Sequence, residues 1–168
     1  MSRLYYFAAD APLDVCLNPH LEMLSVNEAL ARGMEVNLSV FPDSFDYDCP
    51  NVILYTDSED AFEHPNIFPI DPNDFYEDIG TARRYCTELE WDWCDRTAHE
   101  VLSYIAAQTA RVGALEVWNV WLGDRNIPQT VRRTELHLGE LTADLLYAFL
   151  QSSQPFVEGE NRCMTIRK

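Results

Sequence analysis

Between Gly33 and Ala82 the chain carries twelve acidic residues, from Glu35 to Asp78, and not one Lys or Arg. The same stretch holds five of the nine prolines: Pro42, Pro50, Pro65, Pro69 and Pro72. Each proline fixes φ and removes a backbone donor, so long helices and central strands are disfavoured here and loops are expected. A solvated tail is disfavoured as well, because Phe41, Phe45, Tyr47, Tyr55, Phe62, Phe68, Phe75 and Tyr76 supply more aromatic surface than a disordered chain carries. Segment 33–82 therefore reads as ordered, acidic and rich in loops.

The whole chain sets 12 Lys plus Arg against 28 Asp plus Glu, a formal net charge of −16, of which −12 lies in 33–82. Direct nucleic-acid binding needs a basic face, and this balance argues against it. A chain of 168 residues with 47% hydrophobic content is expected to form a single domain, 1–168. It can bury a core without metal or disulfide staples, so no cofactor is expected. The apolar run Leu4–Ala9 is too short for a signal-peptide core, and no stretch reaches the ~20 apolar residues that a membrane-spanning helix needs. Cys16, Cys49, Cys86, Cys94 and Cys163 are odd in number and form no C-x-x-C pair. Reduced thiols in the cytoplasm are the expectation.

Periodicity locates the elements. Leu4–Ala9 reads as a buried strand. Ser25-Val26-Asn27-Glu28 is a capping box opening a helix over 26–32, with Gly33 as its stop. Val36, Leu38 and Val40 alternate with Asn37 and Ser39, predicting one strand, and Asn51–Thr56 predicts another across the loop 42–50. Tyr85–Trp91 alternates as a strand with an acidic face. Ala98, Val101, Leu102, Ile105, Ala106, Thr109 and Val112 recur at helical steps, giving the longest helix over about 94–112 with Gly113 at its end. Leu115–Leu122 and Val131–Leu138 predict an antiparallel hairpin. Thr142 caps a last helix with Leu145, Leu146, Phe149 and Leu150 on its apolar face, and 162–167 returns as an edge strand. These elements do not repeat as βαβ units. The fold class expected is α+β, a mostly antiparallel mixed sheet with about three helices packed on one face.

Chemistry is sparse. Glu88, Glu90 and Asp92 share a strand face, and Asp95 and His99 open the next helix, so these five are the candidate metal or acid–base constellation. Alternating charge is equally what a solvated sheet face carries. Asp43, Asp46, Asp48, Asp57, Glu59 and Asp60 are the candidate partner-binding acids; their spacing fits no EF-hand. Cys94 at a helix start, one turn and a residue before His99, has the position of an activated thiol, or of a small core residue. No Gly-rich phosphate loop exists. Trp91 and Trp93 share a parity, whereas Trp118 and Trp121 differ, which sends one of that pair away from the main core.

The order Leu4-Tyr5-Tyr6-Phe7-Ala8, Ser25-Val26-Asn27-Glu28-Ala29-Leu30, Glu88-Leu89-Glu90-Trp91 and Glu116-Val117-Trp118-Asn119-Val120-Trp121-Leu122-Gly123 resembles a group of acidic bacterial proteins of unknown function. The resemblance implies a bacterial cytoplasmic origin and no particular activity. The expected function is a protein-interaction or inhibitor module of immunity type, whose acidic surface meets a basic protein. The alternative is a metal-dependent or small-molecule enzyme using Glu88, Glu90, Asp92, Asp95 and His99. Charge that serves solubility alone is the plainest reading. The sequence carries no signal for an oligomeric state.

Overall fold

The computed structural model describes residues 2–56, 58, 61, 63–70, 80–122, 127–151 and 159–168. The fold is α+β, with three α-helices and eight strands among the described residues. The chain divides into two compact units, Asn18–Phe62 and the remainder, Met1–Leu17 with Glu63–Lys168. The smaller unit thus begins upstream of the acidic segment and ends inside it.

The larger unit is built on a six-stranded sheet of β1 (Ser2–Ala9), β4 (Asn66–Pro69), β5 (Tyr85–Glu90), β6 (Ala114–Leu122), β7 (Thr130–His137) and β8 (Glu160–Arg167). Their spatial order is β4-β5-β1-β6-β8-β7, and every pairing is antiparallel except β7 with β8. Strand alternation gives the sheet two buried faces. On one lie Phe7, Leu89, Val117, Met164 and Ile166, covered by Val101 and Ile105 of α2 (Asp95–Val112) and by Leu146 and Leu150 of α3 (Ala143–Gln151). On the other, Leu4, Tyr6, Ala8, Cys86, Trp118, Val120 and Cys163 form a second cluster with Ile70. Burying a Leu, Ile or Val side chain is worth about 1.5–3 kcal/mol, so the α2 stripe holds that helix to the sheet. Gly113, at φ +80°, ends α2 in a conformation that costs a side-chain-bearing residue more than glycine.

Two expectations about this sheet are overturned. β6 and β7 form no hairpin, because β8 lies between them, and β8 is internal rather than an edge. Asn161, Cys163, Met164, Thr165 and Ile166 of β8 are all buried, whereas seven of the eight residues of β7 are exposed. The strand with closely packed side chains on both faces takes the interior position and the polar strand takes the edge. The two tryptophans of opposite parity do part company, Trp121 from Trp118, yet both are buried because both sheet faces are covered.

The smaller unit pairs β2 (Glu22–Leu24) antiparallel with β3 (Ile53–Tyr55) and packs α1 (Val26–Ala31) on them through Val26 and Ala29. The capping box is present: the Glu28 amide donates to Ser25 Oγ at 3.2 Å and the Ser25 amide to the Glu28 carboxylate at 2.7 Å. The strand expected over 36–40 is instead a 3-10 turn, Leu38–Val40. Asn37 Oδ1 accepts from the Ser39 amide at 3.2 Å and from Ser39 Oγ at 2.7 Å. This local side-chain bond captures the backbone before any strand partner does.

Candidate functional site

Three aromatic rings organise the acidic loop of the smaller unit. Phe41 and Phe45 stack at 4.7 Å, and Tyr47 meets them at 6.3 and 6.1 Å. All three rings are half-buried, while Asp43, Asp46 and Asp48 between and beside them are exposed. Short polar bonds fix the backbone: the Asp48 amide donates to Asp46 Oδ1 at 3.0 Å, and Asn27 Nδ2 donates to Asp48 Oδ1 at 2.8 Å. The Asn27 amide also donates to the Tyr47 carbonyl, tying the loop to the start of α1. No ion pair among the described residues engages Asp43, Asp46 or Asp48. Arg32, the one Lys or Arg of the unit, is held by Glu22 at 2.7 Å, and that contact keeps the Glu22 carboxyl below its ordinary pKa. Asp57, Glu59 and Asp60 lie outside the described residues.

The second candidate set is not brought together. Glu88 and Glu90 point to the sheet face opposite Leu89, away from α2, by strand alternation. Asp92 follows the strand and is exposed; Asp95 and His99 are exposed on the first turns of α2, which packs on the Leu89 face. The sheet therefore stands between the two halves of the constellation. His99 Nδ1 lies 2.6 Å from the Asp95 carbonyl of its own helix. Among the described residues no group of three or more His, Cys, Asp or Glu is arranged to hold a metal ion. Within the set, burial and then the neighbouring Glu90 push the Glu88 carboxyl above its ordinary pKa. A groove of about 290 Å³ on this unit is lined by Pro12, Leu13, Pro69, Ile70, Cys86 and neighbours, and none of the five residues borders it.

Cys94 is the N-cap of α2: its Sγ accepts from the Thr97 amide at 3.4 Å and sits 3.0 Å from Thr97 Oγ1. Its position at the helix start follows the sequence reading, and its observed task is capping. All five cysteines are free, Cys86 and Cys163 buried and Cys16 exposed.

A polar network that the sequence reading did not single out lies inside the second face of the larger unit. Glu116, 7% exposed, accepts from Thr81 Oγ1 and Trp118 Nε1 at 2.8 Å each and from Arg83 Nε at 3.2 Å. Arg83 also pairs with Asp10. Arg133 lies 3.8 Å from the same carboxylate, places its guanidinium over Trp118 at 5.0 Å and donates to Gly80 O and Cys163 Sγ. Trp118 in turn stacks on Tyr6 at 5.5 Å. Gly80 suits this position: at φ +75° a side chain is strained, and a Cβ would press on Val131 at 3.3 Å. The available signal was an acid in β6 at the parity of Trp118 and Val120. Burial and then Glu116 push the Cys163 thiol up to about 12, so it is a protonated core group rather than a nucleophile. The network closes a sheet face.

No helix among the described residues is long and apolar enough to cross a membrane. No family model, no curated protein and no solved structure matches this chain.

Proposed function

We propose that the protein is a cytoplasmic interaction or inhibitor module, of immunity type, that engages a basic protein through the acidic loop of its smaller unit. The observation that carries this reading is the aromatic platform of Phe41, Phe45 and Tyr47 with Asp43, Asp46 and Asp48 exposed and unpaired with any described base. A loop held by ring stacking loses little entropy on binding, and aromatic side chains inside a polar rim match the anatomy of an interface. Leu38 and Val40, 39% and 69% exposed on the preceding turn, add apolar contact area. The negative field favours a cationic surface and disfavours phosphate backbones, so nucleic acid is not the partner. The five free thiols fit a reducing compartment.

The test is affinity capture from bacterial lysate with wild type and with the triple variant Asp43→Asn, Asp46→Asn, Asp48→Asn. A basic protein retained by wild type through ~0.15 M salt and lost with the variant is the expected result. Equal recovery by both, or retention only at low salt, refutes the proposal.

A further inference from the structure

The two edges of the six-stranded sheet are built differently. β4 is short, ends on Pro69, and is bridged on its outer side by Cys16, whose amide and carbonyl both bond Ile67 at 2.9 and 2.7 Å. That edge is closed in the usual ways. β7 has eight residues, no proline and seven exposed positions, and among the described residues no strand pairs with its outer side. The Thr130 amide bonds the carbonyl of Gly159, the residue just before β8, so the amides of Arg132, Thr134 and Leu136 face β8. The amides and carbonyls of Val131, Arg133 and Glu135 then face outward. The next outward amide, His137, is taken by the Glu140 carboxylate at 2.8 Å, which ends the open ladder.

We propose that this edge pairs with β7 of a second copy of the chain, antiparallel about a two-fold axis through Thr134, to make one sheet continuous across a dimer. A two-fold normal to the sheet keeps each side chain on its own face, so the axis must pass through a residue. Centring on Arg132, Arg133 or Glu135 sets like charges directly opposite, which is destabilising. Centring on Thr134 sets Thr134 against Thr134, Arg133 against Glu135 and Arg132 against Leu136. This register uses nearly the whole strand and faces opposite charges twice. Arg133 and Glu135 then exchange both backbone bonds with each other across the axis, and the Val131 amide reaches the His137 carbonyl. Two chains of net charge −16 repel at long range, so added salt strengthens this contact, opposite to the salt response of a charge-driven complex.

Light scattering on the full chain reads the first outcome: a mass of 19.4 kDa at low concentration, rising towards twice that value between about 1 μM and 1 mM. Glu135→Pro removes an outward amide while sparing the ladder to β8, and it should hold the mass at the monomer value. Thr134→Cys in a Cys16→Ser background should form a symmetric disulfide under mild oxidation, mapped to 134–134 by mass spectrometry, because a non-hydrogen-bonded pair brings its Cβ atoms within about 5 Å. That cross-link decides the matter should the proline variant fail to fold. A wild type that stays monomeric, a dimer that survives Glu135→Pro in a folded variant, or a dimer without the 134–134 cross-link overturns the proposal.

Discussion

Removing the Glu116 carboxylate is the sharpest probe of how the larger unit holds its second sheet face closed. In Glu116→Ala the Trp118 Nε1–H and Thr81 hydroxyl lose acceptors at 2.8 Å, Arg83 loses its inward partner, and Arg133 loses the carboxylate 3.8 Å away. Glu116 is 7% exposed and Trp118 is fully buried, so water does not replace these bonds freely. Arg83 keeps Asp10, so the main cost is the Trp118 and Thr81 donors left without an acceptor, about 1–3 kcal/mol each and about 3–5 kcal/mol together. For a chain of this length that is a fall in Tm of roughly 10 °C. Glu116→Gln keeps one oxygen in place but puts an NH₂ where the other was, facing donors. It should cost less than alanine, about 1–3 kcal/mol. Urea unfolding followed by tryptophan fluorescence is suited to the measurement, since Trp91, Trp93, Trp118 and Trp121 all belong to this unit. An unchanged m-value with a shifted midpoint isolates the stability change. A loss below about 1 kcal/mol for Glu116→Ala would refute the reasoning, since that is what an exposed ion pair is worth.

Three further expectations concern single groups. Cys94→Ala removes the N-cap acceptor of α2 and should cost about 1 kcal/mol, whereas Cys94→Ser supplies a preferred cap and should restore or exceed wild-type stability in the same unfolding assay. Thiol titration of the unreduced, denatured protein should count five; in the native protein Cys16 should react first and Cys163 last, and early labelling of Cys163 would contradict its burial. Glu88, whose carboxyl is raised by burial and then by Glu90, binds its proton more tightly folded than unfolded. Its contribution is therefore fully present below the unfolded pKa and lost as pH rises through the higher folded pKa. The stability of Glu88→Gln relative to wild type should rise across that window, and a difference flat with pH would show that Glu88 does not titrate as described.

What sequence alone determined is what depends on near neighbours along the chain. The box of Ser25 and Glu28, the apolar stripe of α2 with its stop at Gly113, the Thr142 oxygen that caps α3 and the alternation of β5 are all present. Each rests on contacts within four residues or on a single period, so the residues carry their own instructions. The α+β class follows from the order of those elements. Local reasoning failed at 36–40, where alternation was read and Asn37 instead captured its own backbone.

Strand order, the second core and the edges were decided only by tertiary structure, because each is a comparison between segments distant in sequence. β8 displaces β7 from β6 since its side chains suit two covered faces and those of β7 do not. Glu116 becomes a buried hub only because Thr81 and Arg83, more than thirty residues upstream, fold across its face. Glu88 and His99 are eleven positions apart in the chain, yet the sheet separates them, because parity sends Glu88 to one face while the apolar stripe of α2 docks that helix on the other. Spacing along a chain sets which side of its own element a residue occupies; packing between elements sets what that side meets.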